Sequence, residues 1–263
     1  MTLELRERGI YTDGDPSKPS LVLLHSIATS SEIWLPLLPL LTQRFYVIRV
    51  DLPGHGRAPR HAANGSMDGY ARYVDDILNE LRTQPAAMLG ISLGGMVAQA
   101  YALAHPGLLR ALVLANCGAI TPKPVQQLWQ SRIEAVIANG MSSQIQDTLA
   151  RWFTPAFTQR SPMCLEWIGK LIATTSSEGY IAAAKAIQQL DHLEMFSKID
   201  IPTLILAGDQ DAAIPLAALE LMSTVLPSAK LHILQDVGHL SAAEAPTVFA
   251  ETVGAFLKSA VPV

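Results

Sequence analysis

The chain has 263 residues, of which 49% are hydrophobic and 16% charged, and this ordinary globular composition excludes a disordered or collagen-like protein. A chain of this length suits one large domain or a domain that carries an insertion. The formal net charge is -4 and no block of like charges occurs, which excludes the basic surface typical of nucleic-acid-binding proteins.

Short apolar runs alternate with longer amphipathic stretches along most of the chain. This alternation is typical of a mostly parallel sheet flanked by helices, so the sequence predicts an α/β fold. The predicted strands are residues 21–25, 45–51, 86–90, 111–116, 203–207 and 230–234. Predicted helices lie at 32–42, 67–82 and 93–104.

The alternation stops between residues 120 and 198, where only helical stretches separated by proline and glycine occur. Because the strand pattern resumes at residue 203, we expect residues 120–198 to be a helical cap inserted into one core formed by 1–119 and 199–263. The insertion holds Trp129, Trp152 and Trp167 together with Phe153 and Phe157. Most of these aromatics are expected to form its small core, and some to line a pocket roof.

The N-terminal residues, the length of the apolar runs and the cysteines indicate where in the cell the protein is expected to be. Glu4 and Arg6 interrupt the N-terminus where a secretory signal needs an apolar region, and no uncharged apolar run reaches roughly 18 residues. Cys117 and Cys164 are too few for a disulfide framework and are not spaced for zinc. We therefore expect a cytoplasmic protein that binds neither a membrane nor nucleic acid.

Residues 90–95 read Gly-Ile-Ser-Leu-Gly-Gly, between a predicted strand and a predicted helix. A tight strand-turn-helix bend needs glycine at its flanks because a Cβ there would collide with neighbouring backbone. Such a bend puts Ser92 in a strained conformation at the carboxyl end of the sheet, where open α/β sheets bind ligands. We therefore predict that Ser92 is a nucleophile; a glycine-rich turn with a purely structural role is the alternative.

A serine hydroxyl needs a base to take its proton, and the base needs an acid to orient it. Two later strands run into candidate loops, Gly208-Asp209-Gln210-Asp211 and Asp236-Val237-Gly238-His239. The predicted base is His239, and the spacing leaves both Asp209 and Asp211 open as the acid.

The remaining histidines are weaker candidates. His55 precedes the serine in the chain and is expected to stabilise its own loop, while His105 ends a helix and is expected to cap it. His61, His192 and His232 fit no site pattern.

An oxyanion hole requires two backbone N–H groups aimed at one point. Leu93 follows the nucleophile and supplies one of them. The loop after the first predicted strand, His25-Ser26-Ile27-Ala28, is expected to supply the other from Ile27.

Together these residues resemble the α/β-hydrolase superfamily, and the resemblance covers essentially the whole chain. More narrowly, several stretches resemble 3-oxoadipate enol-lactonases, which hydrolyse a small unsaturated lactone in aromatic-acid catabolism. Ser26 agrees with the enol-lactonase pattern, whereas His25 and Ala28 depart from it. The stretches that carry the narrower resemblance are 112–116, Trp129 with Arg132-Ile133-Glu134, Arg151-Trp152-Phe153-Thr154-Pro155-Ala156-Phe157, and Gly179-Tyr180 with the approach to Asp191.

The resemblance implies a hydrolase with a cap, with Asp211 as the acid. It implies an acyl-enzyme mechanism on a small ester or lactone, such as 3-oxoadipate enol-lactone, without a metal or organic cofactor. The carboxylate of that substrate needs a cation, for which Arg132 is the candidate and Trp129 a packing wall; a solvated Arg132 is the alternative. A general carboxylesterase, another lactonase and a small-molecule receptor on the same fold remain alternative functions.

Overall fold

The computed structural model describes residues 3–60 and 65–261. His61, to which the sequence assigned no site, lies outside these residues. A seven-stranded sheet forms the centre of the fold, in the order β1-β3-β2-β4-β5-β6-β7. The strands are β1 (Ile10–Asp13), β2 (Ser20–Leu24), β3 (Tyr46–Val50), β4 (Ala87–Ile91), β5 (Ala111–Ala115), β6 (Thr203–Gly208) and β7 (Ala229–Leu234).

The six predicted strands correspond to β2 to β7, and each observed end lies within one residue of its predicted position. All neighbours in the sheet are parallel except β1, which pairs with β3 antiparallel. Every residue of β2, β4 and β5 is buried, as expected for a parallel sheet covered on both faces. The α/β architecture is therefore confirmed. The prediction missed β1, a short edge strand in which only Ile10 is buried, so it has no apolar run.

The structure also contains α-helices, of which some pack against the sheet and others follow one another between β5 and β6. They are α1 (Leu3–Glu7), α2 (Leu38–Leu41), α3 (Met67–Glu80), α4 (Leu93–Ala104), α5 (Lys123–Asn139), α6 (Ile145–Trp152), α7 (Pro155–Arg160), α8 (Pro162–Thr174), α9 (Ser177–Gln188), α10 (Leu216–Val225), α11 (Ser241–Glu244) and α12 (Pro246–Ala260). In the described part of the chain, no helix has both the length and the apolar character needed to cross a membrane.

The predicted helix at 32–42 is wrong in type. The chain forms a 3-10 helix at Ser31–Leu37 and then the single turn of α2. Pro36 and Pro39 lie inside this stretch and have no backbone N–H, so a continuous α-helix would lack two of its hydrogen bonds here.

Five helices, α5 to α9, follow one another between β5 and β6, within the stretch 120–198. The chain leaves and re-enters the core at neighbouring points, because Ile120 and Asp191 form an antiparallel bridge. Thr121 N–H donates to Leu190 O at 2.9 Å, and His192 N–H donates to Ala119 O at 2.8 Å. Backbone hydrogen bonds between residues 119–121 and 190–192 therefore close the base of this helical stretch.

Candidate active site

Ser92 lies in the bend between β4 and α4, with φ 54° and ψ -118°. A positive φ is unfavourable for a residue with a side chain, so the surrounding structure must hold this conformation in place. Ser92 N–H donates to Ala115 O of β5 at 2.9 Å, and Ser92 O accepts from Met96 N–H at 3.1 Å. The next strand and the first turn of α4 thus hold the strained residue.

The glycines around Ser92 have no room for a side chain. A Cβ on Gly90 would lie 2.1 Å from Gly94 O, and a Cβ on Gly94 would lie 2.1 Å from Leu24 O. Both obstacles are backbone atoms, which cannot rotate away. The glycine pattern is therefore explained by close packing of the bend against β2 and α4.

The structure brings Ser92, His239 and Asp211 into one hydrogen-bonded chain. His239 Nε2 lies 3.0 Å from Ser92 Oγ, and His239 Nδ1 lies 2.9 Å from Asp211 Oδ2. Because the carboxylate only accepts, the proton of the neutral imidazole resides on Nδ1, which leaves the Nε2 lone pair facing the serine hydroxyl. The side chains of His239 and Asp211 are 3% and 2% exposed, so bulk water screens their interaction little.

The Asp211 carboxylate is held from both of its oxygens. Oδ1 accepts from Ala213 N–H at 2.8 Å and Ile214 N–H at 2.9 Å, and Oδ2 accepts from Asn116 Nδ2 at 3.0 Å as well as from His239. Burial by itself raises the pKa of Asp211, but His239 and the other donors outweigh it, so the pKa lies below its usual value. The carboxylate is therefore ionised at neutral pH.

The competing acid, Asp209, points elsewhere. Its Oδ1 accepts from Val237 N–H at 3.1 Å, and the residue is exposed. Of the two candidates, the structure brings only Asp211 into contact with His239.

Two further residues, Asn116 and Glu244, lie beside this hydrogen-bonded network and are not among the site residues that the sequence predicts. Asn116, with φ 47°, donates from Nδ2 to Asp211, and its Oδ1 accepts from Ser241 Oγ at 2.6 Å. Glu244 accepts from Gly238 N–H at 2.9 Å, next to His239. Asn116 directly follows β5, and polar residues at the carboxyl ends of strands are the ones expected to meet at the site, so the sequence could have indicated Asn116. No comparable sequence feature indicates Glu244.

A buried histidine fixes the loop after β2. His25 Nε2 accepts from Leu52 N–H at 2.8 Å, so its proton is on Nδ1, which donates to Ser26 O at 2.7 Å. Burial lowers the pKa of His25 to about 4. The ring of His55 lies 5.3 Å from that of His25, and burial together with this neighbour lowers the pKa of His55 to about 3. Both imidazoles are therefore neutral at pH 7, and His25 ties its loop to the loop after β3.

The two predicted oxyanion donors have free backbone N–H groups. In the described part of the chain, Ile27 N–H has no protein acceptor. Leu93 is the first residue of α4, where backbone donors lack an intrahelical acceptor. The side chains of Ile27 and Leu93 are buried in the core, so only their main-chain groups are available to a ligand.

Trp129 and Arg132 lie together on α5. The guanidinium of Arg132 lies 4.7 Å from the centre of the Trp129 ring, and Trp129 lies 6.4 Å from the Tyr180 ring. Burial lowers the pKa of Arg132, and burial and the charge of Arg132 both lower the pKa of Arg151. Among the residues described, neither arginine forms a salt bridge. Within the described ranges, these two half-buried cations share a single nearby carboxylate, that of Asp147, so this part of segment 120–198 is a suitable place for an anion.

Trp152 of α6 lies beside His239. Arg151 precedes Trp152 in the sequence, and the Trp152 ring lies 6.0 Å from the His239 ring.

Within residues 3–60 and 65–261, no group of three or more His, Cys, Asp or Glu side chains is arranged to hold a metal ion.

This chain is similar to known proteins over most of its length. A family model described as alpha/beta hydrolase fold matches residues 19–246. Among curated sequences, 3-oxoadipate enol-lactonase 2 of Acinetobacter baylyi is 29% identical over 247 residues, which are 94% of this chain and 91% of that protein.

Solved structures agree with this match. A hydrolase from Pseudomonas aeruginosa is 33% identical with a TM-score of 0.87, over 94% of this chain and 93% of that one. The enol-lactonase from Burkholderia xenovorans LB400 is 28% identical with a TM-score of 0.90, over 95% of both chains. Both resemblances expected from the sequence, to α/β hydrolases and to 3-oxoadipate enol-lactonases, are confirmed.

Proposed function

Because the chain belongs to the α/β hydrolase fold family, we propose that it is a serine hydrolase that cleaves a small carboxylic ester or lactone through an acyl-enzyme. The observation that carries this proposal is the hydrogen-bonded chain from Ser92 through His239 to Asp211. A serine that faces the lone pair of an imidazole oriented by a carboxylate is equipped for nucleophilic attack on a carbonyl carbon.

In the proposed mechanism, Ser92 Oγ attacks the carbonyl while His239 Nε2 takes its proton and Asp211 stabilises the resulting imidazolium. The N–H groups of Ile27 and Leu93 stabilise the oxyanion. His239 then protonates the leaving oxygen, and in the second half it activates a water molecule that releases the acid and restores Ser92. Each step is assigned to a group of the chain itself.

We propose an enol-lactone, such as 3-oxoadipate enol-lactone, as the substrate. The enol-lactonase relatives support this choice. An enol is a good leaving group because it departs as a stabilised enolate. This lactone also carries a free carboxylate, for which Arg132 supplies the charge and Trp129 an apolar wall, with residues 120–198 as the cap over the site.

The first experiment compares substrates on one preparation: 3-oxoadipate enol-lactone, p-nitrophenyl acetate and an acyl-homoserine lactone, scored by kcat/KM. We expect the enol-lactone to be preferred and Ser92→Ala to abolish turnover of every substrate while the protein stays folded. Turnover unchanged in Ser92→Ala refutes the serine mechanism. Preference for p-nitrophenyl acetate identifies a general carboxylesterase, and a burst followed by a stall on all three identifies a receptor-like protein.

The second experiment tests the carboxylate subsite. Arg132→Gln removes a charge-assisted contact, and we expect kcat/KM for the enol-lactone to fall about 10- to 100-fold, mostly through KM. Neutral p-nitrophenyl acetate has no carboxylate to lose, so its kcat/KM stays near that of the unmodified enzyme. Lys123→Gln, an exposed change on the same helix, is the matched control. Equal losses on both substrates contradict the assignment of Arg132.

A further inference from the structure

A buried carboxylate beside the site has no part in the mechanism above. Glu244 ends α11, five residues after His239, and is 5% exposed. Its Oε2 accepts from Gly238 N–H at 2.9 Å, and its Oε1 accepts from both the N–H and the hydroxyl of Thr154. All three groups that contact the Glu244 carboxylate are hydrogen-bond donors, and an ionised carboxylate can only accept hydrogen bonds.

The far end of this connection lies in the helical segment 120–198. Thr154 is the N-cap of α7, and its Oγ1 accepts from Phe157 N–H at 3.2 Å. The hydroxyl proton of Thr154 is therefore free to be donated to Glu244. The Glu244 carboxylate thus joins the start of α7 to the loop that carries His239, although Thr154 and Glu244 are 90 positions apart in the sequence.

A second connection runs parallel to the first. Leu240 N–H donates to Trp152 O at 3.1 Å, and a Cβ on Gly238 would lie 2.6 Å from the same oxygen. The residues on both sides of His239 are therefore bonded either to Glu244 or to the backbone of segment 120–198. The two connections leave His239 little freedom to move independently of residues 152–154.

We propose that Glu244 is a positioning residue that holds His239 at hydrogen-bond distance from Ser92 by fastening the His239 loop to Thr154. The inference rests on the proposed function, because it concerns the base of that reaction. Its consequence is that the placement of segment 120–198 and the placement of the base are coupled. Since a misplacement of about 1 Å can cost about 100-fold in rate, the loss of one such connection is measurable in kcat.

The test uses two substitutions at opposite ends of the connection. Glu244→Gln keeps the size of the side chain, but its NH2 must face either Gly238 N–H or the donors of Thr154, so one link is lost. Thr154→Val removes the hydroxyl from the other end. We expect each to lower kcat for p-nitrophenyl acetate about 10- to 100-fold with little change in KM. Thr154→Ser keeps the hydroxyl and is expected to restore most of kcat; Glu251→Gln, exposed on α12, is the matched control.

Two readouts separate positioning from a purely structural role. The first is kcat per folded molecule, with the folded fraction measured by thermal unfolding. The second is the NMR signal of the His239 imidazole in protein labelled with ¹⁵N-histidine, identified by its absence in His239→Ala. A fall in kcat together with a shifted His239 signal supports the proposal. Wild-type kcat per folded molecule in both Glu244→Gln and Thr154→Val overturns it.

The remaining outcomes are also decisive. If Glu244→Gln does not fold, Thr154→Val and its rescue by Thr154→Ser decide the question. If the unmodified protein turns over no ester, the proposed function fails, and the NMR signal then decides the inference by itself. An unchanged His239 signal in Glu244→Gln overturns the positioning role, and a shifted signal supports it.

Discussion

Replacement of Asp211 by asparagine tests the orientation of the base most directly. Both oxygens of Asp211 accept two hydrogen bonds each, and all four partners are donors. In Asp211→Asn, the amide oxygen keeps the two backbone N–H groups of Ala213 and Ile214. The NH2 then replaces Oδ2 and faces two donors, His239 Nδ1–H and the amide of Asn116.

The imidazole can relieve this conflict by moving its proton from Nδ1 to Nε2. Nε2–H then points at Ser92 Oγ and cannot accept the serine proton. We expect kcat to fall about 10,000-fold, which corresponds to about 5.4 kcal/mol of transition-state stabilisation, with little change in KM. The loss of an ionised, fully bonded carboxylate also lowers the free energy of unfolding by about 1–3 kcal/mol.

The assay is steady-state hydrolysis of p-nitrophenyl acetate, corrected for the folded fraction. Asp209→Asn is the matched control, since an amide oxygen can still accept from Val237 N–H; we expect its kcat within about threefold of the unmodified enzyme. If folded Asp211→Asn retains more than about a tenth of kcat, the tautomer argument is wrong. If Asp209→Asn loses as much as Asp211→Asn, the wrong acid has been assigned.

Three further predictions follow from the packing and the titrating groups. Gly94→Ala places a Cβ against backbone atoms, so we expect it to lower the free energy of unfolding by at least about 3 kcal/mol or to prevent folding. Gly254→Ala, at a position on α12 with open space, is expected to raise the free energy of unfolding by about 0.5–1 kcal/mol. Urea unfolding measures both changes, and equal effects contradict the packing argument. Asn116→Gly keeps the positive φ but removes the amide, so kcat is expected to fall about 10-fold, and an unchanged kcat shows that Asp211 needs no such support. Because the pKa values of His25 and His55 are lowered to about 4 and about 3, acidification from pH 7 to pH 5 protonates these two groups only in the unfolded chain. We therefore expect the free energy of unfolding to fall by about 2 kcal/mol per histidine over this interval. His55→Gln is expected to show a smaller fall than the unmodified protein, as measured by urea unfolding at both pH values.

Local features of the sequence determined much of this protein. The buried parallel strands are continuous apolar runs, so their positions could be predicted to within one residue. The bend at Ser92 was predictable for a similar reason, because its glycines, the preceding strand and the following helix all lie within a short stretch of chain. The meeting of the loops that carry His239 and Asp211 could also be predicted, because the carboxyl ends of parallel strands share one edge of a sheet.

The spacing of the sequence does not separate Asp209 from Asp211, and only the tertiary structure shows that Asp211 is the one that contacts His239. The two residues are neighbours in one loop, and their side chains diverge because the N–H groups of Ala213 and Ile214 capture Asp211 while Val237 captures Asp209. No spacing rule encodes which backbone donor a carboxylate meets.

The contacts that Asn116 and Glu244 make beside the site could not be predicted from local sequence for the same reason. Asn116 contacts Asp211 across 95 positions of sequence, and Glu244 contacts Thr154 across 90. The antiparallel pairing of β1 with β3 is likewise a non-local contact. Strand and bend propensities arise from residues adjacent in the chain, whereas these hydrogen bonds form only when distant segments pack together, so they are decided by the assembled fold.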